Sequence, residues 1–466
     1  LTAHDVNTDR FDRVMEFYGR ALEGPELAEK KFDARVLPRA LREKAEKYDI
    51  RMQPDECVPR DIDMGKRAFE AAVELLTEVG AYCINTERVV GFSREEIEEA
   101  LAKAPSTETI GTGAEAVQAY GRKIGDERRM TVTGGLNGSP VTEQWQLPIL
   151  RSVANEDVDG VHTGALQDAL GYENRTRTPV ELLACKKEAL AARAAVEQAG
   201  KPGMCVLGIM SGATAETQDA GDFPGGLRPT DRHLAVFLNE VKFDFDLLNK
   251  VMHDKSEGVL VEACSCPIHG GYSGGCETTA ICGMAEVLLG YIVCEPENFS
   301  WYHQSLFTGS TTSREAIWIH NMMVMGFRAA GQELLLDAYV GPASGPWTPK
   351  IGFEVAAQAV TASAVGFSGL YGACGAKMSN IDYCTGIEAR MLVETSRAAA
   401  GMDLETANEI GNKLLAEYED ELKADALPLG KIFPECYEDD LVTPKEAYVA
   451  EWEDQKEKMR GMGLPI

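Results

Sequence analysis

Cys205, Cys264 and Cys266, together with Glu262, are the residues whose types and spacing could hold a metal. They fall in or just after two short apolar runs, Gly203-Met204-Cys205-Val206-Leu207-Gly208 and Gly258-Val259-Leu260-Val261-Glu262-Ala263-Cys264, that read as buried strands. Side chains alternate along a strand, so Cys205 shares a face with Leu207. Glu262, Cys264 and Cys266 share a face if the strand continues that far. Two thiolates with a carboxylate or imidazole are suitable zinc ligands and leave one coordination position for substrate. The metal would then act as a Lewis acid on a departing thiolate or alkoxide. Ligands drawn from separate strands have no diagnostic spacing, and a free cysteine serves equally well as a small apolar filler. His269, just after the second strand, is either a further ligand or a hydrogen-bond partner of its glycine loop. Tyr339, Trp301 and Tyr272, near strand ends, offer aromatic faces to a cation or pack into the core.

Two glycine-rich loops follow strand candidates: Thr133-Gly134-Gly135-Leu136-Asn137-Gly138-Ser139-Pro140, and Pro267-Ile268-His269-Gly270-Gly271-Tyr272-Ser273-Gly274-Gly275. Catalytic groups of barrels sit on such loops, where glycine lets backbone approach a ligand closely, although tight turns use the same residues. There is no Gly-x-Gly-x-x-Gly opening a helix after a strand, no Gly-Lys-Ser/Thr phosphate loop and no His-Glu-x-x-His, so nucleotide chemistry is unsupported.

The elements that must position these residues alternate along the chain. Met64, Ala68, Ala71, Ala72, Leu75, Leu76 and Val79 recur at helical spacing and stop at Gly80. Ser93 and Glu96 form a capping box, and Thr178, Pro179 and Glu181 start a helix running to about Gln198. Helices are also expected near Asp231 to Val241, Thr279 to Tyr291, Asp403 to Leu422 and Pro444 to Met459. Besides the two runs above, strands are expected near Thr107 to Gly111, Met130 to Val132, Val158 to Val161, Phe299 to His303, Leu334 to Tyr339 and Phe367 to Tyr371. About eight strands alternating with helices predict an α/β fold, a closed parallel (β/α)₈ TIM barrel. The expected organisation is an N-terminal cap segment over 1–60, the barrel over 61–400, and a C-terminal helical extension of the same domain over 401–466.

The 466 residues include 74 acidic and 46 basic side chains, a formal charge of −28 that repels phosphate backbones and anionic membranes. No nucleic-acid or membrane partner is expected. Leu1 to Arg20 has no apolar core of the signal-peptide kind, and the apolar stretch Val355 to Ala376 has the polar and small residues of a buried helix and strand. The twelve cysteines are too sparse for a secreted disulfide framework, so reduced thiols and a cytoplasmic location are expected.

The glycine loops, together with Gly111-Thr112-Gly113, Gly200-Lys201-Pro202-Gly203-Met204, Gly309-Ser310-Thr311-Thr312-Ser313-Arg314-Glu315 and Thr385-Gly386-Ile387-Glu388-Ala389-Arg390-Met391, resemble the monomethylamine methyltransferases of methanogens. The resemblance runs in register over nearly the whole chain. It implies an oligomeric barrel that presents the methyl group of a small methylated donor to the cobalt(I) of a separate corrinoid protein, as in methylamine metabolism and methanogenesis. No cofactor is then bound tightly by the chain itself; no Asp-x-His-x-x-Gly cobalamin motif is present. By the same register, pyrrolysine of the family falls at Leu207, two family acids fall at Leu234 and Cys264, and a family glutamine falls at about Tyr339. A leucine has no imine with which to capture an amine. Zinc on Cys205, Cys264, Cys266 and Glu262 is one replacement for it; a quaternary amine, already charged, is another route that needs neither imine nor metal. The alternative to an enzyme is a catalytically inactive barrel acting as a binding or assembly subunit.

Overall fold

The computed structural model describes residues 11–302 and 304–466. Eight parallel strands close into a barrel in strict chain order. They are β1 (Thr131–Gly135), β2 (Gly160–His162), β3 (Cys205–Gly208), β4 (Arg232–Val236), β5 (Leu260–Ser265), β6 (Asn298–Trp301), β7 (Leu336–Val340) and β8 (Gly369–Gly372), which returns to β1. Most of the crossovers carry a helix: Glu143–Ala154, Pro179–Gln198, Phe245–Glu257, Cys276–Val293, Arg314–Ala329 and Ile351–Val365. Cys276–Val293 has the length and apolarity of a membrane span, but 89% of that window is buried inside the protein. The stretch Val355 to Ala376 is likewise split between the buried helix Ile351–Val365 and β8.

Two strand assignments need correction, and they cancel in the count. Thr107–Ile110 is a strand, but it pairs antiparallel with Val117–Tyr120 as a separate hairpin beside the N-terminal ends of β3 and β4. The missing barrel strand is β4, where a helix near Asp231 to Val241 was expected. Its sequence Arg-His-Leu-Ala-Val hides a buried strand because both polar residues find buried partners, Arg232 inside the barrel and His233 on the outside. His303, at the end of the sixth expected strand, lies outside the described residues, as do residues 1–10.

Local signals fared better. Ser93 and Glu96 form the capping box at Arg94–Lys103. At Pro179–Gln198 the helix starts where expected, but Thr178 Oγ1 donates to the Arg175 carbonyl at 2.7 Å instead of capping. Glu181 accepts from the backbone of Arg177 and Ala213. The cap begins with Asp12–Glu23 and Leu37–Lys47, and a small sheet joins Ala81–Cys83 to Arg88–Val90 and to Lys242–Phe243, beyond β4. C-terminal helices Leu404–Leu415, Glu419–Lys423 and Glu446–Met462 follow the barrel. The segment between them returns to the loop after β7, where Gly345 N bonds Pro428 O at 3.1 Å and Lys431 N bonds Pro346 O at 3.0 Å.

Candidate active site in the barrel interior

The inward-facing residues of β4 to β8 build a polar column, and the hairpin closes its lower end. Glu108, from the hairpin, forms a salt bridge to Arg232 through both carboxylate oxygens. Arg232 Nη1 lies 2.6 Å from Tyr371 Oη and 3.4 Å from both Glu262 Oε2 and Asp337 Oδ2. Tyr371 Oη is 2.6 Å from Glu262 and 2.7 Å from Asp337, while Ser300 donates to Glu262 at 2.7 Å and Asn298 to Asp337 at 2.6 Å. All are buried. Tyr371 has one proton for two carboxyl groups, so one contact is satisfied only when a carboxyl is itself protonated. Burial pushes Glu262 up to about 7, against the pull of Arg232, and Asp337 raises it further. Three carboxyls facing one guanidinium leave the column net negative even with Glu262 neutral.

Above this column stands an aromatic cluster. Tyr339 makes edge contacts to Tyr371, His162 and Tyr302, with ring centroids 5.0, 5.5 and 5.6 Å apart. Its hydroxyl is 3.1 Å from His162 Nε2, and His162 Nδ1 faces the Thr163 carbonyl at 3.0 Å. A carbonyl only accepts, so Nδ1 carries the proton and Nε2 receives the Tyr339 hydroxyl. Burial pushes His162 down to about 3, which keeps the ring neutral. Next to it lies Leu207, opposite His162 on one side and Arg232 on the other. Leu207 O accepts from Thr163 N at 3.0 Å, and Glu188 accepts from Thr163 Oγ1, Met210 N and Ser211 N, fixing the loop that leaves β3. Asn137, on the β1 loop, is 6% exposed, has φ 52°, and leaves both ends of its amide unpartnered.

The structure therefore brings Leu207, Leu234, Cys264 and Tyr339 to buried positions on the upper halves of β3, β4, β5 and β7. It does not bring together the zinc set. Arg232 pairs with Leu207, and Cys205 lies two residues below that level; Cys264 pairs with Val236, four residues above Arg232. Alternation fixed which face each cysteine occupies but not its height, which the stagger of the barrel sets. Cys264 Sγ instead donates to the Ser265 carbonyl at 3.7 Å, and burial raises the thiols of both Cys205 and Cys264. Glu262 is held by Tyr371, Ser300 and Arg232. Among the described residues, no group of three donors within 4.8 Å includes any of these four. The residues present do not fit a zinc ion there.

Other expectations are redistributed too. Trp301 faces outward, donating to Gly283 O at 3.2 Å, and Tyr272 is 54% exposed, so Tyr339 finds its aromatic partners in Tyr302, Tyr371 and His162. His269 packs on Phe307, 5.3 Å away, and meets Ser305 Oγ at 3.3 Å and Cys276 Sγ at 3.6 Å. Arg232, Glu108, Asp337, Tyr371 and His162 were missed. Asp337 alone carried a readable signal, an acid inside the apolar run Leu334 to Val340.

The monomethylamine methyltransferase MtmB family profile matches residues 13–464. The chain belongs to the monomethylamine methyltransferase family. Relatives include a monomethylamine methyltransferase of Methanosarcina acetivorans, 34% identical over 96% of this chain and 97% of its own, and one of Methanosarcina mazei, 33% identical over the same shares. The crystal structure of the Methanosarcina barkeri monomethylamine methyltransferase matches with a TM-score of 0.94 at 32% identity, covering 97% of this chain and 98% of that one. A hydroxylamine complex of an MtmB protein matches equally well. In this monomethylamine methyltransferase homologue the column and aromatic cluster occupy the inside of the family's barrel.

Proposed function

We propose that the chain is a methyltransferase that moves a methyl group from a small methylated donor to the cobalt(I) of a partner corrinoid protein. The observation that carries this reading is the full-length family match on a barrel whose interior keeps a built polar site. A barrel retained only for assembly has no use for a buried column of three carboxyls, since removing such groups into apolar packing is neutral or stabilising. The reduced cobalt of the partner supplies the nucleophile. The residues of this chain would bind and orient the donor with its methyl group toward the barrel mouth.

For the donor, we favour a quaternary amine. Such a nitrogen leaves as a neutral tertiary amine, taking the C–N electron pair while the methyl passes to the acceptor, so no proton transfer or imine is required at Leu207. Tyr339, Tyr371 and Tyr302 offer ring faces to the cation, and the net negative column beneath them favours positive charge. The test is a transfer assay with a reduced corrinoid protein and monomethylamine, trimethylamine or tetramethylammonium in turn, following loss of the cobalt(I) absorbance. Turnover with the quaternary ion is expected. Turnover with monomethylamine alone would overturn the donor assignment, and none with any donor would support the binding or assembly subunit instead.

A further inference from the structure

A second group of donors stands on the outer side of β4, away from the proposed active site. One oxygen of Asp219, one of Asp254 and one ring nitrogen of His233 lie within 4.8 Å of one another; among the described residues no other three His, Cys, Asp or Glu meet that spacing. His233 Nδ1 is 2.6 Å from Asp254 Oδ1 and 3.7 Å from Asp222 Oδ2. Asp222 meets His253 Nε2 at 3.0 Å, and His253 Nδ1 is 4.0 Å from Asp219. Three carboxylates and two imidazoles thus share one cluster. Four of their buried polar atoms have no hydrogen-bond partner: His233 Nε2, Asp254 Oδ2, Asp219 Oδ1 and Asp222 Oδ1.

We propose that this cluster binds one divalent first-row transition-metal ion and thereby staples the β3–β4 connection to the barrel wall. Imidazole and carboxylate donors without thiol suit such ions. His233 has the arrangement of a metal-ligating histidine, one nitrogen held by a carboxylate and the other left without a partner. The fully buried Lys250 supplies one ammonium, already bonded to Gln218 Oε1 at 2.6 Å, against three aspartates. His253 and Asp219, with side chains 29% and 18% exposed, give an ion a way in.

Position gives the site a purpose. The other connections between successive strands, β1 to β8, carry helices of 12 residues or more. The β3–β4 connection holds only Ala215–Gln218 and the single turn Asp219–Gly221. It contributes Asp219 and Asp222, β4 contributes His233, and the next helix contributes His253 and Asp254. An ion would join all three pieces just beyond the strand that carries Leu207, and its binding energy would count toward the folded state.

The experiment uses the full chain, stripped with a chelator and then loaded separately with Zn²⁺, Mn²⁺ or Mg²⁺, desalted and assayed for bound metal. Manganese, which thiols bind poorly, separates this site from the twelve cysteines. About one equivalent of Zn²⁺ and of Mn²⁺ is expected, with slower proteolysis within residues 209–231 and none retained for Mg²⁺. Asp219→Asn, at the exposed edge, should lower Mn²⁺ affinity roughly tenfold or more with unchanged circular dichroism. Wild-type protein that retains no stoichiometric metal, or an Asp219→Asn variant that retains as much as wild type, would show a proton-held histidine–carboxylate network and overturn the proposal.

Discussion

Replacing Arg232 with methionine would leave Glu108, Glu262 and Asp337 in the barrel interior without the guanidinium that contacts all three. Breaking a buried ion network from one side costs about 3–5 kcal/mol, so Arg232→Met should lower the urea midpoint sharply at pH 7. The loss should shrink at pH 5.5, where the stranded carboxyls take up protons; an equal loss at both pH values would place the cost in packing instead. Tyr339 separates two other effects. Tyr339→Phe removes the hydroxyl that bonds His162 and should cost about 1–3 kcal/mol of stability by leaving a buried nitrogen unpaired. It keeps the ring, so the KM for a quaternary donor should stay within a few-fold. Tyr339→Leu removes the ring face as well and should raise that KM about tenfold, given a cation–π contribution of roughly 0.5–2 kcal/mol.

Among the elements, the return of the C-terminal extension onto the β7 loop depends on a glycine. A Cβ added at Gly345 would sit 1.5 Å from the Leu429 carbonyl oxygen, and backbone has no side-chain freedom with which to give way. Gly345→Ala should therefore detach residues 427–431 from the loop. The expected readouts are a new proteolytic cut in that segment and a lowered thermal midpoint, with the far-UV spectrum retained because the barrel strands are untouched. An uncut variant would mean that the extension is held mainly by its helices. β4 shows the converse dependence. Its sequence alternates Arg232, Leu234 and Val236 with His233 and Ala235, so the strand exists because tertiary partners on both faces accept a cation and an imidazole.

At the scale of the whole molecule, buried acids set the response to pH. Burial pushes Glu262, Glu240 and Glu388 up to about 7 and Glu286 up to about 8. Their folded values lie above the ordinary one near 4.5, so the folded protein keeps protons that the unfolded chain releases. The stability this supplies is complete below about pH 4.5 and is lost as pH rises through 7 to 8. Repulsion within a chain of formal charge −28 acts in the same direction. Glu74, held down to about 2 chiefly by Lys47, acts oppositely, but its contribution is lost only as pH falls toward 2. Denaturation midpoints should therefore peak at mildly acid pH and fall toward pH 8, and Glu286→Gln should flatten that slope. A midpoint that rises from pH 5 to 8 would contradict it.

The sequence by itself determined the barrel, because alternating apolar runs and capped helices are local patterns written in residue spacing. It also pointed to the family, through loops whose glycines stand in register along nearly the whole chain. Alternation along a strand, a two-residue rule, put Glu262 and Cys264 on one shared face and Cys205 with Leu207, while the family register placed Tyr339 among the site positions. What it left open was height and partnership. Cys205 and Cys264 occupy the interior face of their strands but different levels, a difference fixed by the stagger of eight strands and absent from any one of them. Arg232 and His233 fell in a segment expected to be helical, and only the closed barrel, bringing Glu108, Glu262 and Asp337 to one and Asp254 to the other, decided that both are buried on a strand. Burying charge is favourable only where opposite charge is already waiting, and that coincidence across more than a hundred residues of chain belongs to the tertiary structure.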